Sequence, residues 1–270
     1  MEDATRSLEL GRRDTTDFLA VSFSSLDSVG HAFGPRSHEV QDALARIDRA
    51  IGRLLAMLDE RVGRGNYVVA MSADHGVAPI PEQMAQGGAS AGRMLSTEVV
   101  KTINDALATR FGPGAYVSSV SYTDVYFAPG VYARVRADPV AWHNVEGALA
   151  AMPGIARVLR SEEIAATTPT DDAVLRAARL SYFPGRSGDL VLVPRPYWIL
   201  SSAAATHGTH YAYDARVPVI FYGAGVRAGR YWDRASPADV APTLAALSGI
   251  TMAVAEGRVL SSALAEPRRR

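Results

Sequence analysis

The sequence predicts an α/β protein carrying a compact α+β insertion, and three observations support that expectation. Two short apolar runs, residues 18–23 (FLAVSF) and 66–72 (NYVVAMS), each lead into a polar stretch that holds a carboxylate and an imidazole. Between them, residues 37–62 repeat apolar side chains at helical spacing. From about residue 85 to 184 the texture changes to short strands and helices in mixed order.

The first run suits a buried strand, and Ser24, Ser25 and Gly30 break it into a loop that holds Asp27 and His31. Ligands bind outside the carboxyl ends of strands in an open α/β sheet, which makes these two residues candidate metal ligands. Their four-residue gap lets both side chains face one ion if the loop turns helically. On its own the pattern is weak, and a loop carboxylate beside a capping or core histidine is the commoner outcome.

In residues 37–62, Val40, Leu44, Ile47, Ile51, Leu54, Leu55 and Leu58 share one helical face, with Ser37 as a cap and Gly63 as a stop. The next strand, residues 66–72, runs into Asp74-His75-Gly76. A strand, helix and strand in that order predict a parallel unit, with Asp27, His31, Asp74 and His75 at one sheet edge. Small and polar residues 84–92 then read as a surface loop or boundary.

The insertion begins with a capped amphipathic helix, residues 96–111, with Val99, Val100, Ile103 and Leu107 inward. Residues 115–120, 124–128 and 131–135 are expected to be antiparallel strands. Asp138-Pro139 starts a helix to Met152, residues 154–159 add a strand, and 171–180 a further helix. His143 reads as a surface or packing histidine. A buried strand at 189–193 returns to the core, followed by a small-residue loop, 201–209, that carries His207, with His210 just beyond it. Such loops let a histidine approach a ligand closely. Residues 216–222 form the next strand, and Ser236-Pro237-Ala238-Asp239 is a capping box that opens the last helix.

Composition narrows the function classes. Apolar residues make up 48% of 270, and 28 basic residues balance 28 acidic ones, so no net field favours nucleic acid or an anionic membrane. The chain has no cysteine, which leaves zinc only His and carboxylate ligands. Residues 1–13 are charged and lack a secretory apolar core, and no stretch is long enough to span a bilayer. The Arg268-Arg269-Arg270 tail reads as a solvated end.

The ordered motifs SxxDxxGHxxGP, ADHG, THGTxYxYDxxVPVIFYG, SPADVAPTLAALSGI and GRVL together resemble the alkaline phosphatase superfamily. The likeness is to its type I phosphodiesterase and nucleotide pyrophosphatase branch and to the monomeric bacterial phosphatases with a threonine nucleophile. It covers about residues 14–83 and 185–264, so the domains expected are 1–84 and 185–270 for a layered α/β/α core and 85–184 for a cap.

The resemblance implies a zinc-dependent hydrolase of small phosphate esters, monoester or diester, working by two-metal phosphoryl transfer. Asp27, His31 and His207 resemble the protein ligands of one zinc, and Asp74 with His75 resembles part of the second site. His210 and Asp214 read as a non-ligand and a structural turn carboxylate. The family's nucleophilic hydroxyl and one aspartate ligand lie upstream of the motifs matched here, so an N-terminal segment is expected to complete the fold, whose N-terminal side is otherwise incomplete. Enzymes resembling this one are commonly exported, which points to the periplasm or the exterior. The alternative is a catalytically inactive metal-binding or interaction module of the same fold.

Overall fold

The computed structural model describes residues 2–265, and the arginine tail lies outside them. The chain divides into two compact units: Met1–Asp27, His38–Gly76 and Arg216–Arg270 form the first, and Ser28–Ser37 with Val77–Ala215 the second.

In the first unit, the expected amphipathic stretch forms the helix His38–Leu58, which relaxes into a wider turn at Asp59–Gly63. Its apolar stripe is only partly covered: Val40 and Met57 are buried, but Leu44 remains 50% exposed. Strand Val68–Ser72 pairs antiparallel with Val219–Gly223, from Val68 opposite Gly223 to Ser72 opposite Val219. The Ser236 box forms as read. The Ser236 hydroxyl accepts from the Ala238 N–H, and the Asp239 carboxylate accepts from the Ser236 and Arg258 N–H groups, both at 2.8 Å. Helix Val240–Leu247 follows.

Residues 18–23 are a correction. They form no strand, and Phe18, Leu19, Val21 and Phe23 are all exposed. The predicted parallel pairing with 66–72 does not occur among the described residues. A strand is stabilised by its ladder and by side chains across it, and a run with strand composition but no neighbour alongside gains neither.

The second unit holds both clusters of buried apolar residues. Its antiparallel sheet has the order Val117–Ser121, Asp124–Phe127, Leu190–Pro194, Ile155–Arg160. Helices Ser96–Phe111 and Pro139–Ala150 pack together with that sheet. Val99, Ile103 and Leu107 from one and Val145 and Leu149 from the other join Val125, Leu190 and Leu192 in a core from which water is excluded. Asp138 caps the second helix by accepting from the Val140 and Ala141 N–H groups at 3.0 and 3.1 Å. Strand Gly92–Met94 runs parallel to Trp198–Leu200.

Residues 131–135 are the second correction: they open the helix Val131–Ala137. The alternation of V-Y-A-R-V-R-A resembles a strand, but Val131, Tyr132 and Val135 are the buried positions, a one-turn spacing that a helix satisfies equally well. Arg134 then lies over the Phe111 ring, 4.3 Å from its centroid.

Candidate metal centre

Asp27 and His31 are carried not by an open loop but by the helix Ser25–Phe33, one turn apart on the same side. Gly34 ends this helix at φ 83, with its N–H donating to the Gly30 carbonyl at 2.8 Å. A side chain at position 34 would collide with Ile80, since an added Cβ would lie 2.5 Å from Ile80 Cδ1.

His31 is bound to the loop that carries His207. Its Nδ1 lies 2.8 Å from the Ala205 carbonyl oxygen, and the Ala205 N–H returns a bond to the His31 carbonyl at 3.4 Å. A carbonyl can only accept, so Nδ1 carries a proton and Nε2 is the nitrogen that could offer a lone pair. The His31 and His207 rings stand 5.0 Å apart. Asp27, His31 and His207 each offer one ligand atom, and these atoms lie within 4.8 Å of one another.

The backbone on both sides of His207 is fastened. Ala205 and Thr206 are buried, and the Thr206 carbonyl accepts from the Ala78 N–H at 2.9 Å. Beyond Gly208, which takes φ 106, the buried Asp214 carboxylate accepts from the Thr209 N–H at 2.8 Å and its hydroxyl at 2.6 Å. Asp214 is thus the structural turn carboxylate the sequence indicated.

Upstream, Arg93 donates to the carbonyls of Ser201 and Ala203 at 3.1 and 2.5 Å, while Glu82 grips its guanidinium through two bonds of 2.7 and 2.8 Å. Those bonds hold the Glu82 carboxyl down at about 2. Sequence reading missed this clamp. Its acceptors are backbone carbonyls about a hundred residues away, and a carbonyl has no signature in sequence.

Within the first unit, His75 follows the strand Val68–Ser72. Its Nδ1 donates to the Gly76 carbonyl at 2.7 Å, which leaves Nε2 as the nitrogen turned to the carboxylates nearby. That Nε2 lies 3.8 Å from the Asp27 carboxylate and 3.6 Å from that of Asp74. The Asp74 side chain is 89% exposed and that of Asp27 45%.

The His210 ring lies 4.2 Å from that of Tyr211 at a tilt of 38°, and burial lowers its pKa, favouring the neutral ring. It is not part of the triad found among the described residues. His143 is exposed on its helix.

One carboxylate oxygen and two imidazoles, one of them with its Nδ1 proton set by a backbone acceptor, are a nitrogen and oxygen donor set that would fit a metal ion such as zinc. Among the described residues, no helix is long and apolar enough to cross a membrane.

A "Calcium-transporting ATPase" of Myroides odoratus is 35% identical over 238 residues, 85% of this chain and 42% of that protein. Alkaline phosphatase PafA of Elizabethkingia meningoseptica is 32% identical over 243 residues, 88% of this chain and 44% of the relative. The crystal structure of wild-type PafA superposes with a TM-score of 0.86 at 30% identity, covering 97% of this chain and 50% of the other. The fold is therefore that of the alkaline phosphatases, and the chain spans about half the length of the relatives it matches. The model of the type I phosphodiesterase / nucleotide pyrophosphatase family matches residues 1–213, and the chain belongs to that family.

Proposed function

We propose that this chain forms part of a zinc-dependent hydrolase of small phosphate esters, with Asp27, His31 and His207 holding one ion and Asp74 and His75 contributing to a second. The observation that carries this reading is the triad itself, whose ligand atoms lie within 4.8 Å of one another on a helix and a fastened loop. When bound, the ions supply charge stabilisation at the attacking and leaving oxygens of an in-line phosphoryl transfer.

The chain's own residues perform the positioning. The Ala205 carbonyl holds a proton at Nδ1 of His31, so Nε2 is the nitrogen left to meet the ion. The Gly76 carbonyl does the same for His75. The Asp27 carboxylate supplies negative charge that imidazoles lack, and Arg93 ties down the Ser201 and Ala203 carbonyls in the loop that leads to His207. The nucleophilic hydroxyl and one further carboxylate are those that the family resemblance puts upstream of this region. Whether the substrate is a monoester or a diester follows from groups outside the triad.

Hydrolysis of p-nitrophenyl phosphate and bis-p-nitrophenyl phosphate by the zinc-loaded protein joined to an upstream segment that supplies the nucleophile, compared with Asp27→Ala in the same protein, tests the reading. Turnover should fall about 100-fold or more in the variant, at or beyond the roughly 10- to 100-fold loss seen when only a residue supporting a metal ligand is removed. Full turnover by Asp27→Ala contradicts it. A zinc-loaded protein that hydrolyses neither ester, even when extended by an upstream segment, supports an inert metal-binding module instead.

A further inference from the structure

The hairpin between strands Val117–Ser121 and Asp124–Phe127 turns on only two residues, Tyr122 and Thr123, because Ser121 pairs with Asp124. Tyr122 takes φ 51 there, a left-handed conformation that glycine or asparagine enters readily and a bulky aromatic does not. The ring does not repay this by filling the core, since Tyr122 is 60% exposed. It lies instead 6.1 Å from the His207 ring, tilted by 41°. With Thr206, His207, Thr209 and Asp214, the same residue lines a small hollow. A strained, exposed tyrosine set beside one imidazole of the triad has a reason to be there if its face meets a ligand.

We propose that Tyr122 is a specificity-determining residue, an aromatic wall beside His207 that stacks on the alcohol portion of an aryl phosphate ester. The inference rests on the triad's role as a phosphate ester site. In an aryl ester the ring is one oxygen from the phosphorus, so a phosphoryl group held at Asp27, His31 and His207 brings that ring to the exposed face of Tyr122. Offset or tilted ring pairs are favourable at centroid separations of about 4.5 to 7 Å, whereas an alkyl ester offers no such face.

The test is calorimetric titration of the zinc-loaded full chain with phenyl phosphate and with methyl phosphate, with zinc content measured on the same samples. Phenyl phosphate should bind roughly 3- to 10-fold more tightly. Tyr122→Gly, which also relieves the backbone strain, should abolish that preference while leaving methyl phosphate affinity and zinc content unchanged. Tyr122→Phe should retain the preference, because the ring and not the hydroxyl supplies it. Equal affinities in the native protein, or a preference that survives Tyr122→Gly, overturn the role of Tyr122 alone. A native protein that holds no zinc overturns the triad reading, and this inference with it.

Discussion

The two units use their apolar residues differently. In the second, helices Ser96–Phe111 and Pro139–Ala150 and a four-stranded sheet enclose a continuous core, with Ile103, Leu107, Leu149 and Leu190 fully buried. In the first, Phe18, Leu44, Ile220 and Trp232 face outward, the last 90% exposed. The candidate ligands follow the same division. His31 and His207 sit on backbone tied to buried partners in the second unit, while Asp74, in the first, is almost fully exposed. The difference teaches that His31 and His207 are held by backbone bonds inside a well-packed unit, whereas Asp74 sits on a surface open to solvent.

The largest expected contrast is in packing. Ile103→Ala should cost the second unit about 3 kcal/mol, since a fully buried branched chain leaves a cavity that its neighbours cannot fill. Leu44→Ala, on the half-open stripe, should cost about 0.5 kcal/mol or less. Thermal melts of both variants measure this, and equal losses would break the comparison.

Next is the carboxylate under the His207 loop. Asp214→Ala leaves the half-buried Thr209 N–H and hydroxyl without their acceptor and should lower stability by about 1 to 2 kcal/mol. The same melts read it out. Arg93→Met should have a smaller effect on melting but weaken zinc affinity about 10-fold, the scale of lost outer support at a metal site. Competition with a chromogenic chelator measures that change, and unaltered affinity would remove the clamp from the account.

The smallest effect is the pH dependence of the Glu82–Arg93 pair. The folded carboxyl is depressed to about 2, so its contribution is fully present above the ordinary carboxylate range and is lost as pH falls toward 2. With the Glu82 side chain 55% exposed, solvent screening limits it to about 1 kcal/mol or less. Melting of native protein and Glu82→Gln should therefore differ near pH 6 and converge near pH 2.

Where the sequence was readable, local chemistry decided the outcome. Ser96–Phe111 formed a helix because its apolar spacing and flanking residues agreed, and Ser236 with Asp239 formed a box because both partners lie within one turn. Residues 18–23 were misread because strand composition says nothing about a neighbouring strand, and 131–135 because a short apolar alternation fits both periods. In the site, the stretch holding Asp27 and His31 reads as a loop, and their four-residue gap allowed but did not require the helix Ser25–Phe33 that carries them. The fixing of the His31 tautomer by Ala205, the Arg93 clamp and the position of Tyr122 all depend on contacts between distant segments, several of them through backbone atoms, and no residue pattern records them.

The triad is tested most directly by zinc per chain, measured by elemental analysis after exhaustive dialysis of the native protein, His31→Ala, His207→Ala and His143→Ala. Native protein and His143→Ala should retain at least one ion, and His31→Ala and His207→Ala should lose it while keeping their folded melting transition. A native protein that retains no zinc, or triad variants that retain as much as His143→Ala, would contradict the assignment of Asp27, His31 and His207 as a metal centre.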